Sequence, residues 1–335
     1  MRSLPADLVP ERVGQALAEG WRLGGAPMEY LPVGGGGYHW KVTDRHGRAR
    51  FVTVDDLDGK DWLGDTRDAV FAELGRALSA AAALRDEAGL DFVVAPVAAR
   101  GGEVVRRVDD RYAISVMPFL DGRSYPFGPY ADARLRTRSL DMIAALHQCV
   151  AVVRDRAPRH VPRVSGRGDL DAFLREPGRL WDGGPFSESA RRLLVARAAD
   201  LSRLAEGFDH LADLTAPARA EPVITHGEPH PANLMSAGGR LVLIDWDTIG
   251  LGPPERDLAL IATGREDLGR YQQATGHRPD PAAVTFYRLR WYLDDLASAI
   301  RLFRNRHRDS HDTRRWRDGL APRLDQLPRW LDLLG

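Results

Sequence analysis

The chain is poor in cysteine, in lysine, in net charge and in long apolar runs. Of its 335 residues only Cys149 is a cysteine. That excludes an intrachain disulfide and a cysteine metal cluster. Cys149 falls on an apolar helical stretch and reads as core. The N-terminal residues contain no apolar stretch of signal-peptide length, and no run approaches the length of a membrane span. A cytoplasmic protein without membrane contact is the expectation. Basic and acidic residues number 47 each, so the formal net charge is zero. No global basic signal points to nucleic acid. Only Lys41 and Lys60 among the 47 basic residues are lysines, a bias that GC-rich codon usage accounts for. Any mechanism that needs a lysine therefore has two candidates.

What is present suits a globular enzyme of two domains or two lobes. Residues 10–23 read as a short amphipathic helix. Alternation in Met28–Val33, Tyr38–Thr43 and Arg50–Val54 predicts three antiparallel strands. Gly34–Gly37 joins the first two, and Gly35, Gly36 and Gly37 offer backbone N–H groups to a phosphate. A flexible hairpin tip is the alternative. A helix follows at 66–88, with Gly89 as its stop. Strands are expected at Phe92–Ala98 and then at Val104–Val108 or Ala113–Met117. This order describes an α+β lobe, a small antiparallel sheet with one helix. Met117-Pro118 ends it. The remainder is mainly helical: 131–154, 169–181, 187–214, 255–263, 267–275, 281–306 and 311–334. Residues 155–169 form a Pro/Arg-rich loop, and 305–315 is the segment closest to disordered composition.

Chemistry concentrates between Ile224 and Asp257. Apolar strands centred on Val223-Ile224 and Leu241-Ile244 bracket a turn at Ser236–Gly239 and read as one hairpin. Polar residues follow each strand: His226, Glu228 and Asn233, then Asp245 and Asp247. Asn233 and Asp245 supply hard oxygen ligands suited to magnesium. Glu228 can accept a proton from a hydroxyl, and a glycine turn can cover nucleotide phosphates. Together these parts describe phosphoryl transfer from ATP. Asp247 is a metal ligand or a hydrogen-bonded neighbour, and His230 is open between a site role and a loop role.

Three motifs carry a family resemblance: His226-Gly-Glu228-Pro-His-Pro-Ala-Asn233, Ile244-Asp245-Trp246-Asp247 and Pro254-Glu255-Arg256-Asp257-Leu258. In spacing and order they resemble the aminoglycoside phosphotransferase and choline-kinase-like family, and within it the spectinomycin phosphotransferases. The resemblance runs from about Met28 to about Arg304. It implies a bilobal protein-kinase-like fold, with a small sheet-bearing N-lobe over 1–117 and a helical C-lobe over 118–335. It implies ATP and magnesium as cofactors and a small hydroxyl compound as partner. By position, Asn233 and Asp245 would hold the metal, residue 228 would be the base, His226 would brace the loop and Asp257 would anchor it. The connector Val116–Phe119, with Met117 and Phe119, would meet the adenine. Arg288, Asp294 and Asp295 would face the second substrate; an acidic pair there suits a cation, although such faces are common on helices.

The chain also departs from the family pattern. Residue 228 is Glu where the family has Asp. Thr53 stands where the family has its ATP-binding lysine. Arg76 falls where the acidic partner of that lysine is expected, with Glu73 one turn before. Lys41, on the same strand face as His39 by alternation, is either a substitute phosphate contact or an exposed strand lysine. These departures leave a second reading open, a pseudokinase-like binding module without phosphotransfer. A weaker third reading transfers a nucleotidyl group.

Overall fold

A computed structural model describes residues 1–5, 7–215 and 221–334. In chain order the first elements are α1 (Pro10–Trp21), β1 (Met28–Leu31), β2 (Tyr38–Thr43), β3 (Ala49–Asp56), α2 (Arg67–Asp86), β4 (Val105–Arg107), β5 (Tyr112–Pro118) and β6 (Gly122–Ser124). Then come α3 (Ala133–His147), α4 (Val150–Val153), α5 (Arg167–Arg175), α6 (Ser187–Val195) and α7 (Ala198–Thr215). The last are β7 (Val223–Thr225), β8 (Leu234–Ala237), β9 (Arg240–Leu243), β10 (Gly250–Gly252), α8 (Glu255–Ile261), α9 (Arg265–Thr275), α10 (Pro281–Arg304), α11 (His311–Leu324) and α12 (Leu327–Asp332). They form two compact units. The first comprises Met1–Val161 and Ala220–Asp280, the second Pro162–Arg219 and Pro281–Gly335.

The first unit holds an antiparallel sheet in the order β1-β2-β3-β5-β4. Successive side chains of a strand point to opposite faces, and the two faces here differ in kind. Tyr38, Trp40 and Val42 of β2, with Val52 and Val54 of β3, form a buried core with Val13 and Leu17 of α1. The residues between them, His39, Lys41, Thr53 and Asp55, fall on the opposite face. Toward α2, a second core joins Val70, Leu74 and Leu78 to Leu57, Val105 and Ala113. The Thr66 hydroxyl starts α2 by accepting from Ala69 N–H, the usual N-cap contact. One face of the sheet is thus apolar, and the other divides between a core under α2 and the polar side chains of β2 and β3.

Several sequence expectations change here. Phe92–Ala98 is not a sheet strand. Its residues bond singly, Val94 N–H to the Leu243 carbonyl and Val97 N–H to the Val116 carbonyl, while Val104–Val108 and Ala113–Met117 both supply strands. The hairpin of the motif stretch also pairs differently. Gly238 and Gly239, at φ +55° and +75°, make a two-residue turn that joins β8 to β9. β7 instead pairs antiparallel with β10. β8, with only Leu234 buried, lacks the continuous apolar run that marks β7 and β9. Expected long helices divide at short breaks: α3 from α4, α6 from α7, and α11 from α12. Cys149 lies at the first break, half-buried rather than core. The segment 305–315 includes the start of α11, fixed by a Ser310/Thr313 capping box.

The second unit is helical. α10 packs on α5, α6, α7 and α11, and α12 packs on α7. Along α10, Phe286, Leu289, Leu293, Leu296, Ile300 and Phe303 are buried, a helical period facing those neighbours.

Candidate active site

The site grows from the end of β7. His226 is fully buried. Its N–H donates to Asp257 Oδ2 at 2.8 Å and the Gly227 N–H to Oδ1 at 2.6 Å. Asp257, in the first turn of α8, also meets His147 Nε2 at 3.0 Å, whose Nδ1 lies 2.7 Å from the Tyr271 hydroxyl. Burial pushes the Asp257 carboxyl up, but the His147 hydrogen bond and nearby positive charge outweigh it and hold the group below the ordinary range. Gly227 has φ +97°, and an added Cβ would lie 2.3 Å from Arg256 Nη2, so both backbone and space require glycine. That guanidinium is fixed by the Thr225 hydroxyl at 2.7 Å and the Thr248 carbonyl at 2.8 Å.

The His226 ring is committed on both sides. Nε2 lies 3.0 Å from the Ile244 carbonyl, and Nδ1 accepts from Glu228 N–H at 3.2 Å. These contacts select the neutral tautomer protonated at Nε2, and burial lowers the pKa to about 4. The ring bridges the loop to the segment after β9 that carries Asp245, a bracing part.

Asn233 closes the loop. Its Nδ2 donates to the Glu228 carbonyl at 2.9 Å, which turns Oδ1 the other way, and Oδ1 has no hydrogen-bond partner among the described residues. Ile244 N–H donates to the Asn233 carbonyl at 2.9 Å and so brings Asp245 beside Asn233. Asp245 has φ +68°, a left-handed conformation that costs an aspartate about 1 kcal/mol. Its carboxylate likewise has no hydrogen-bond partner among the described residues. Protein surrounds this carboxylate on most sides, although its own surface is open to solvent. Loss of surrounding water, then the charges of Asp247, Glu228 and Asp55, push its carboxyl well up. Two bare hard oxygens, one held in a strained backbone among like charges, fit a divalent cation. Glu228 lies on the same loop, its side chain about one-third exposed and 3.9 Å from His230 Nε2. His230 packs edge-on against Phe127, and burial lowers its pKa to about 4.

The polar face of the sheet completes this unit's site. His39 Nδ1 lies 3.2 Å from the Thr53 hydroxyl, and the ring stacks on Phe51. Lys41 shares that face, with its ammonium 4.8 Å over the Phe119 ring. Met117 pairs with Phe51 in register. An added Cβ at Gly35 or Gly36 meets nothing within 4 Å, whereas at Gly37 it would lie 3.1 Å from Thr53 Cγ2. Arg76 donates to the Ala157 carbonyl at 2.9 Å and offers no acid to the sheet.

The lysine that sequence reasoning passed over is Lys60. It follows β3 in the connection to α2, 1% exposed. Its ammonium lies 3.0 Å from Asp55 Oδ1 and forms an ion pair with Asp247 Oδ2. Burial disfavours the ammonium, but Asp247 and Asp55 outweigh burial and hold it protonated. Burial in turn raises the Asp55 carboxyl. The available signal was its rarity, one of two lysines in an arginine-rich chain, inside the acidic run Asp55–Asp61.

In the second unit, Asp294 accepts from Ser165 N–H at 2.7 Å and pairs with Arg290 at 2.7 Å. Asp295 pairs with Arg323 at 2.9 Å. Burial, and then Arg329, lower the pKa of Arg288.

With this geometry established, comparison with known proteins is decisive. Residues 80–287 match the model of the phosphotransferase enzyme family, APH. The chain belongs to that family. It is a small-molecule kinase, a phosphotransferase that acts on a hydroxyl group. Protein StrN of Streptomyces griseus is 29% identical over 243 residues, covering 70% of this chain and 72% of StrN. Among solved structures, spectinomycin phosphotransferase APH(9)-Ia, in complex with ADP and spectinomycin, is similar at TM-score 0.70. That match is 13% identical and covers 97% of this chain and 98% of the other. A microcompartment-associated aminopropanol kinase is similar at TM-score 0.62, 16% identity and coverage of 98% and 99%. The kinase-like architecture, a sheet-bearing N-terminal region followed by helices, is thereby shared. A binding module without phosphotransfer is not favoured.

Proposed function

We propose that this kinase moves the γ-phosphate of ATP to a hydroxyl of a small, polar, cationic molecule such as an aminocyclitol, an aminoglycoside or a related metabolite. The observation that carries the reading is selective bareness. The backbone and imidazole of the motif loop are bonded within the protein, while Asn233 Oδ1 and the Asp245 carboxylate are left to bind something else. Magnesium, held by Asn233 and Asp245, would neutralise phosphate charge. Glu228 would take the acceptor's proton as its oxygen bonds to the γ-phosphorus and the bond to ADP breaks. Gly35, Gly36 and Gly37 would lie over the phosphates; Lys41, Thr53, Met117 and Phe119 would border the nucleotide.

Arg288, Asp294 and Asp295 are proposed to face the acceptor. Arg290 and Arg323 already neutralise the two acids, so a cationic acceptor would have to displace them. The segment from about 155 to 220 would shape the pocket; its last residues, 216–220, lie outside the described residues. The lobe boundary at 117/118 is retained as the proposed functional division. Such an enzyme would act in the cytoplasm, where ATP is available, in antibiotic inactivation or in metabolism. No helix among the described residues is long and apolar enough to cross a membrane.

The test is incubation with ATP, magnesium and a panel of aminocyclitols, aminoglycosides and amino alcohols, with products read by mass spectrometry. A gain of one phosphoryl group on an acceptor is expected. No phosphorylated product across a broad panel sinks the reading, and a nucleotidyl adduct replaces it.

A further inference from the structure

We propose that Lys60 is a positioning residue that withdraws Asp247 from the divalent-cation site, so that Asn233 and Asp245 alone bind the ion from the protein side. The inference rests on the phosphotransfer reading above. Lys60 is buried, 3.0 Å from Asp55 on one side and paired with Asp247 on the other. Trp62 covers it further, with the ammonium 5.2 Å from the ring centroid. Asp245, two residues before Asp247, forms no ion pair with that ammonium, whose charge reaches it only at longer range, and it has no hydrogen-bond partner among the described residues. Of two carboxylates on one short segment, one is capped and the other bare.

The affinity of an oxygen site for a divalent cation rises with the charge of its ligands. Asp245 and Asp247 together would present two negative charges and hold the free ion well. Lys60 cancels one of them. The remaining single carboxylate and neutral amide bind the free ion weakly, and phosphate oxygens would complete the shell. The protein is thereby set to take its cation together with the nucleotide rather than ahead of it. Asp55 keeps the ammonium in place from the far side. Lysine suits this position because a compact ammonium fits between two carboxylates where a planar guanidinium would not. Stability alone does not account for the triad, since apolar side chains of similar volume often hold a fold as well as buried ions do.

Manganese binding to the full chain without nucleotide, followed by electron paramagnetic resonance, tests the arrangement. Asp247→Asn should leave the manganese Kd within about twofold of the parent, while Asp245→Asn should raise it about tenfold or more. Lys60→Met should tighten binding about tenfold by releasing Asp247, and adding Asp247→Asn should reverse the gain. If Lys60→Met does not fold, Lys60→Met with Asp55→Asn removes the triad's second charge, leaves Asp247 released and carries the same expectation. A tenfold loss in Asp247→Asn, or no gain on releasing Asp247, overturns the proposal. An unchanged Kd in Asp245→Asn overturns the cation site itself, and this inference with it. Phosphotransfer in the acceptor panel is read separately, so the two failures are distinguishable.

Discussion

Asp245 and Asp257 lie twelve residues apart in one stretch, and the protein treats them oppositely. Asp257 is fully buried and holds two backbone N–H groups and the His147 ring. Asp245 sits in a strained backbone conformation among like charges, with no hydrogen-bond partner among the described residues. Asp257 gives its whole bonding capacity to the fold. Asp245 leaves its capacity unused among the described residues, at some cost to stability. A carboxylate's role follows from what its partners leave unused, more than from its residue type or burial.

The strongest way to break this comparison is Asp245→Asn. ADP formation should fall by about a thousandfold, since charge stabilisation at the phosphates is the main catalytic work. The folded protein should be slightly more stable, by about 0.5 kcal/mol, because the substitution removes a crowded charge and Asn tolerates φ +68° better. The gain is small because solvent screens part of the repulsion. Activity within tenfold of the parent, or a clear loss in urea unfolding, would place Asp245 with the structural group.

Asp257→Asn should behave in the reverse sense. An amide cannot accept from two N–H groups and His147 as a carboxylate does, and its own NH2 would face donors. A loss of about 3 kcal/mol in urea unfolding is expected. Parent-like stability would show that the network is not what holds the loop.

Acidification sharpens the same contrast. Burial lowers His226 and His230 to about 4 and His39 to about 3, from an ordinary 6.5. Below pH 6.5 the unfolded chain takes up protons that the folded chain refuses, so stability is complete above that pH and falls toward pH 4. His226 alone contributes on the order of 3 kcal/mol of that fall. Unfolding measured between pH 7 and pH 4.5 should show a shallower slope in His226→Gln. A slope unchanged by that substitution would remove His226 from the closed network.

The smallest expected effect lies in the glycine turn. Gly37→Ala places a methyl 3.1 Å from Thr53 Cγ2 and 3.3 Å from His39 Cε1 and should cost about 1 kcal/mol. Gly35→Ala meets nothing within 4 Å and should stay within about 0.5 kcal/mol of the parent. Equal effects would mean that the turn is open along its whole length.

Much of this was legible in the chain. The period-2 runs at 38–43 and 50–54 and the helical period of α2 and α10 specify their elements locally, because each buries one face; the run at 28–33 alternates without a buried residue in its strand. His226, Asn233, Asp245 and Asp257 were legible from the order and spacing of three motifs. The pairing of β7 with β10 was not, because each is only three residues long and neither marks its partner. Lys60 was not, because the acids that hold it come from β3 and, 187 residues later in the chain, from Asp247.

The sequence by itself determined the family and marked the candidate oxygen donors, since both reside in local spacing and side-chain type. Tertiary structure alone decided which donors are spent and which are free. It closed Asp257 on His147, set Lys60 against Asp247 and left Asp245 without a hydrogen-bond partner among the described residues. The physical reason is that a carboxylate's charge is neutralised through space, by groups whose distance along the chain carries no trace of their approach.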